Sequence, residues 1–406
     1  MNDKRRLFPR IAGKPNKGDH FFRDNWLYPC IVILVVSLAF FPIIYSKFHT
    51  TKVFSETEFG IHIGLSIQMA QGMTSVPGVD IAHSAFQLLL ILIHAVSGIS
   101  FKLSAFLVTI GSIALMALIL YFWVSPILRA KSLTPLAGIA IVVGLNLVAP
   151  VSLLAPLDQK FYLGYIGMIT YHNPTIILLR PFAVVQFIYA VQCFTDSMFA
   201  WKHAFLAGIF SLVTTFIKPS FAICILPAIG VLTIIHLLQK RPINWRMLII
   251  GFALPSIAVL SWQYLLTYQS IDGSKILFYP FGVMKTYSGY LLFKFILSIF
   301  FPLAVTLLCH KEAFKDIRMK LAWLGFLLGA FYTYFLAEAG PRLADGNFSW
   351  AGEITLLVLF YVSTIFLLER TSVGRLKEIM LKASWTLHIA FGVIYYIYCL
   401  TTRTFV

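Results

Sequence analysis

Residues 26–45 read WLYPCIVILVVSLAFFPIIY. The run holds no charged side chain, and about 20 residues is what an α-helix needs to cross the hydrocarbon core of a bilayer. No water reaches that core, so a spanning segment must satisfy its own backbone groups, as a helix or within a closed barrel. Barrel strands alternate apolar and polar residues over about ten positions. This run is continuously apolar and reads as a helix. Similar runs recur near 84–98, 103–124, 134–153, 176–199, 204–217, 219–238, 247–267, 288–309, 321–337, 351–368 and 384–400. The expected fold is all-α: a polytopic transmembrane helix bundle of about 11–13 spans, forming one membrane domain over 26–406 behind a basic tail, 1–25.

Composition points the same way. Of 406 residues, 59% are hydrophobic and 12% charged, about half the charged share of a soluble domain. The formal charge of +16 does not indicate a nucleic-acid partner, because Lys and Arg gather in short segments between apolar runs, as they do in cytoplasmic loops. Cys30, Cys193, Cys224, Cys309 and Cys399 lie in or beside apolar runs, form no CxxC pair, and read as small buried hydrophobes. The chain holds no Walker A loop, no HExxH and no Cys/His cluster with zinc spacing.

Loop charge orients the chain. The tail carries Lys4, Arg5, Arg6, Arg10, Lys14, Lys17 and Arg23. No small-residue cleavage site follows the first run, so an uncleaved first helix with its N-terminus in the cytoplasm is expected. The segments around Lys240–Arg246, His310–Lys320 and Glu369–Lys382 are also basic and read as cytoplasmic. Counting back from them would put the tail outside, so one run must be miscounted. The run 84–98 is short for a span, and 154–170 could hold a re-entrant piece. The loop 46–83 is then the longest external segment. Within it, residues 58–69 alternate apolar and polar, which fits a strand or, less neatly, an interfacial helix; either puts Glu58 and His62 on one face.

Four segments carry candidate chemistry on the outer side. Glu56, Glu58 and His62 place two carboxylates and an imidazole just beyond the first span; a carboxylate near apolar surface can act as a general base. His172-Asn173-Pro174-Thr175 forms a turn leading into a helix, with Arg180 inside the apolar run that follows. A charge there marks function unless the side chain snorkels to the interface. Lys218 sits before Pro219 between two uncharged runs, where it could hold a phosphate as a point charge. Glu338, Arg342, Asp345 and Asn347 share one short loop. Arg342 can grip a phosphate bidentately, and Trp350 after it reads as an interface anchor.

This order of parts resembles the GT-C-type glycosyltransferases, membrane enzymes that use polyprenyl-phosphate-linked sugars. The likeness rests on the basic tail and first span, on an acidic residue early in a long external loop (Glu-Thr-Glu at 56–58), and on the stretch 208–219, Gly-Ile-Phe-Ser-Leu-Val-Thr-Thr-Phe-Ile-Lys-Pro, similar to a Gly-rich helix ending in a Lys turn. The resemblance implies transfer of a sugar from a polyprenyl-phosphate donor to a cell-envelope glycan or lipid acceptor, in a bacterial inner membrane. Glu56 or Glu58, assisted by His62, would take the acceptor proton. His172, Arg180, Lys218 and Arg342 would hold the donor phosphate, and Asn173, Glu338, Asp345 and Asn347 the substrate. No cofactor is certain, although a divalent cation could bridge carboxylate and phosphate. The competing expectations are a flippase or transporter for lipid-linked glycans and an envelope polysaccharide polymerase or ligase.

Overall fold

The computed structural model describes residues 26–54, 57–73, 81–195, 201–269, 275–370 and 374–402. The basic tail 1–25 and Glu56 lie outside the described residues. The chain is an all-α helix bundle and a multi-pass membrane protein. Among the described residues, six helical segments are long and apolar enough to cross a membrane singly, and a bent pair makes a seventh. In chain order the main helices are α1 (Leu27–Thr50), α2 (Glu58–Ala70), α3 (Ala85–Ser97), α4 (Phe101–Ala130), α5 (Pro135–Leu147), α6 (Pro174–Val191), α7 (Trp201–Ile217), α8 (Ala222–Leu238), α9 (Leu254–Gln269), α10 (Leu291–Ser298), α11 (Phe300–Leu308), α12 (Ile317–Phe335), α13 (Ser349–Leu368) and α14 (Arg375–Thr402). The helices α10 and α11 meet at 63°.

Local sequence sets the helix starts. Thr57, Ser100, Thr134, Asn173 and Asp316 each accept a backbone N–H from the first turn of the helix that follows, the usual use of a short polar residue at an N-cap. Thr134 and Asn173 are each followed by Pro, whose fixed φ suits the first helical position. The stretch 58–69, whose alternation fitted a strand or an interfacial helix, lies in the helix α2. An isolated strand at a membrane would leave its backbone groups unpaired.

The core is centred on α13. In its spanning window 89% of residues are buried, against 22% in the segment Met247–Thr267 that ends in α9. Contact with α12 reaches the backbone: a Cβ on Gly329 would lie 2.6 Å from the Ala351 carbonyl oxygen. Small residues permit such approach where van der Waals packing must drive helix association. The exposed Leu, Ile and Val side chains of α1, α9 and α14 form the apolar rim that lipid would meet.

Two ends of the bundle differ. At one, the basic segments meet. Arg318 forms a two-point pair with Glu369, at 2.7 and 2.6 Å, and also bonds Asp316 at 2.6 Å. Lys131 donates to the Arg370 carbonyl, and Lys377 to the Leu308 carbonyl at 3.1 Å. At the other end lie the starts of α2, α6, α8 and α13 and the ends of α7, α9 and α12. Here α3 accounts for the extra apolar run. Its first turn meets α2 through Gln87 and His62, and it hands over to α4 beside Thr51, whose carbonyl accepts from Lys102 at 3.0 Å. Thus α3 begins and ends at the same end of the bundle.

A short antiparallel ribbon, β1 (Ile276–Phe278) with β2 (Leu336–Glu338), lies at this second end, pairing Ile276 with Glu338. The segment 154–170 has one short helix, Ala155–Asp158, and then irregular backbone. Tyr162, Tyr165, Ile166, Met168 and Ile169 bury it. It is fastened by Lys294, which is fully buried and donates to Asp158, to Ser288 at 2.6 Å and to the Leu163 carbonyl at 3.2 Å. All three ammonium protons are used, which is what makes a buried lysine tolerable.

Candidate functional site

A cavity of about 490 Å³ opens at the second end of the bundle, lined by segments far apart in sequence. Glu58, His62, Asn173, Lys218, Glu338, Arg342, Asp345 and Asn347 all line it. His172 and Arg180 do not.

Glu58 opens α2, where the positive end of the helix favours an anion. Its side chain lines the cavity and keeps 41% of its surface. The His62 Nε2 atom stands 3.6 Å from its Oε2. On the other side of the ring, Gln87 Nε2 donates to His62 Nδ1 at 2.8 Å. With Nδ1 accepting, the proton of the neutral imidazole belongs on Nε2, facing Glu58. Burial acts to raise the Glu58 pKa, but the His62 imidazole and the charge of Lys218 outweigh it and hold the group at about 2. Glu58 is therefore ionised throughout the neutral range.

Lys218 follows the last turn of α7, and Pro219 prevents that helix from continuing. Its Nζ donates to Thr175 Oγ1 at 3.2 Å and lies 4.7 Å from the centre of the Trp350 ring. Thr175 in turn donates to Asn173 Oδ1 at 2.7 Å, while the same oxygen caps α6 by accepting from Ile176 N at 3.0 Å. The Asn-Pro-Thr turn thus caps a helix and aims the lysine. Burial lowers the Lys218 pKa to about 8, although Glu58 and Glu353 favour its charged form.

Arg342 faces Lys218 from the loop after β2. Its Nε lies 3.2 Å from Glu338 Oε2 and 3.8 Å from Asp345 Oδ2. Asn347 Nδ2 donates to the same Glu338 oxygen at 2.7 Å. The cavity is consequently mixed in sign: cations able to hold a phosphate, and carboxylates able to accept hydroxyl protons. Among the described residues, no three His, Cys, Asp or Glu side chains come together as metal ligands.

Arg180 lies beneath the cavity, 6% exposed. It donates to the Thr170 carbonyl at 3.2 Å and faces Tyr162, Tyr171, Tyr361 and Glu353. His172 stands behind Trp350, with ring centres 5.6 Å apart, and its Nδ1 is 2.5 Å from Thr170 Oγ1. Both residues support the wall from behind.

Several residues of the site were not singled out from sequence. Trp350 was read as an interface anchor, but it is 7% exposed and lies under the Lys218 ammonium. Glu353 is close enough to both Arg180 and Lys218 for their charges to act on it. Gln87 holds His62, and Gln263 on α9 bonds the carbonyls of Ala82 and Thr215, each at 3.0 Å. The available signal was one polar side chain within an apolar run, which in a membrane demands a partner. No family model matches the chain, and no curated protein matches it.

Proposed function

We propose that this chain is a membrane glycosyltransferase that moves a sugar from a polyprenyl-phosphate donor to a cell-envelope glycan or lipid acceptor. The observation that carries the reading is the meeting of Glu58, Lys218 and Arg342 around one cavity at one end of a transmembrane bundle. In this reading the cavity end faces outward and the basic end, with the N-terminus, faces the cytoplasm of a bacterial inner membrane.

The donor phosphate sits on Lys218 and Arg342, and the sugar lies toward Glu58 and the carboxylates of the Glu338 loop. The acceptor hydroxyl gives its proton to Glu58. Its oxygen forms a bond to the anomeric carbon as the bond from that carbon to the phosphate oxygen breaks. Polyprenyl phosphate leaves with the electron pair, and the two cations stabilise the charge that develops on it. A carboxylate of pKa about 2 is by itself a weak base, since efficient proton transfer needs a pKa near the working pH. The bound phosphate supplies the correction: it neutralises the field of Lys218, one of the charges that depress Glu58, so basicity rises when donor is in place.

The test is transfer by the purified protein in nanodiscs, using a panel of radiolabelled polyprenyl-phosphate hexoses and pentoses and reading release of polyprenyl phosphate. Turnover that falls in both Glu58→Gln and Lys218→Met supports the reading. Turnover at the wild-type rate in both variants overturns the proposed mechanism. One observation favours a second reading, a transporter for lipid-linked glycans: Arg180 and Glu353 are buried below the cavity, where charges in membrane helices often mark a transport path. Movement of labelled substrate into vesicles without covalent change would select it.

A further inference from the structure

A second hollow, of about 310 Å³, lies at the basic end, between the last turns of α8 and the first turns of α12. Leu232, Ile235, His236 and Gln239 line one wall, and Lys320, Trp323, Leu324 and Leu327 the other. Both sets follow the spacing i, i+3, i+4, i+7, so each wall is one continuous helix face. The facing atoms are almost wholly apolar. The one indole donor on the α12 wall is already satisfied, since Trp323 Nε1 donates to Thr306 Oγ1 at 2.8 Å.

Charge lies at one end of this groove only. Arg241 and Lys320 line its rim, and both are close enough to His236 for their charges to act there. Among the described residues neither cation belongs to an ion pair, whereas neighbouring Arg318 is held by Asp316 and Glu369. From Lys320 to Leu327 the wall runs about 10 Å along the helix, away from the basic loops and toward the middle of the bundle. Leu327 is 53% exposed, so the groove opens sideways where lipid would lie.

An occupant must therefore be anionic at one end and apolar over the next 10 Å or so. A second copy of the chain would bring its own basic end against Arg241 and Lys320. An extended peptide would bring backbone groups that these walls cannot satisfy, and a helix, about 10 Å across, is too wide for a hollow of about 310 Å³. We infer that the groove binds an anionic glycerophospholipid, its phosphate on Arg241 and Lys320 and one acyl chain between α8 and α12. This inference does not depend on the reaction proposed for the cavity.

The full chain in detergent, given matched mixtures of dioleoyl phosphatidylglycerol and dioleoyl phosphatidylcholine, tests it by native mass spectrometry. The wild type is expected to retain phosphatidylglycerol selectively. Arg241→Gln with Lys320→Gln is expected to reduce that preference roughly thirtyfold, at about 1 kcal/mol per cation, while Lys377→Gln at the same end leaves it in place. Leu324→Trp, which fills the groove, is expected to remove retention without touching either charge. Equal retention of the two lipids by the wild type overturns the inference, and so does an unchanged preference in the double variant. Displacement of the lipid by millimolar glycerol 3-phosphate also overturns it, because it would identify a soluble anion as the ligand.

Discussion

The helix α8 runs from the polar cavity to the apolar groove, and α12 runs from the groove back to the cavity end; the two ends handle charge in opposite ways. At the cavity, cations and carboxylates share one space: Lys218 lies near Glu58, and Arg342 pairs with Glu338 and Asp345. At the groove, Arg241 and Lys320 stand on the rim of an apolar cleft. Compensated charge can be kept deep in a protein because each group satisfies another. Like charges without partners must stay where water, or an anion from the bilayer surface, reaches them. In the proposed reading the cavity takes a ligand with both hydroxyl and phosphate groups, and the groove an amphiphile with one charged end.

The comparison breaks most readily at the cavity. Glu58→Gln and Lys218→Met are each expected to lower turnover by about 10²–10⁴-fold, the range for losing a general base or a charge-stabilising group, as measured by polyprenyl phosphate release. If either loss is below threefold, that residue has no part in the chemistry. Next comes the scaffold beside the cavity. Lys294→Met leaves Asp158 and Ser288 without their buried partner and should cost about 1–3 kcal/mol, read as a lowered Tm in detergent.

A smaller effect is expected from pH. Burial brings Lys218 down to about 8, so its charge is lost as pH rises through that value. Donor affinity should then fall above pH 8 and hold level between 6 and 7.5. Lys218→Arg, which stays protonated, should move the fall beyond pH 10 even if it weakens turnover. An unmoved alkaline limb would assign the titration to another group. The smallest effect is at the far end: Arg241→Gln should leave sugar transfer within about twofold of wild type, since surface substitutions away from buried features change little. A tenfold loss there would mean that the two ends are coupled.

Much of this could be read along the chain. Charge-free runs such as 26–45 identified the helices because period and length are local properties, and Asn173-Pro174 marked a helix start for the same reason. The candidate residues Glu58, Lys218 and Arg342 were visible because a charge beside an apolar run is costly and needs a reason. Less legible was the run 84–98. It is as apolar as its neighbours, and only its contacts at Gln87 and its exit beside Lys102 show that it returns to the end where it began. Trp350, Gln87 and Glu353 were equally mute, because nothing in their neighbours states which distant segment each will face.

That the chain is a bundle of membrane helices, with polar clusters in the segments that join them, is legible from the order of its residues alone. Burial of apolar surface and satisfaction of the backbone act residue by residue, so composition and periodicity suffice to read them. Which clusters share a space emerges from the folded chain: Glu58, Lys218 and Arg342 line one cavity, Arg180 lies beneath it, and Arg241 and Lys320 flank a separate groove. Those meetings depend on how the helices pack against one another, and packing is set by side-chain shape across contacts that are remote in sequence.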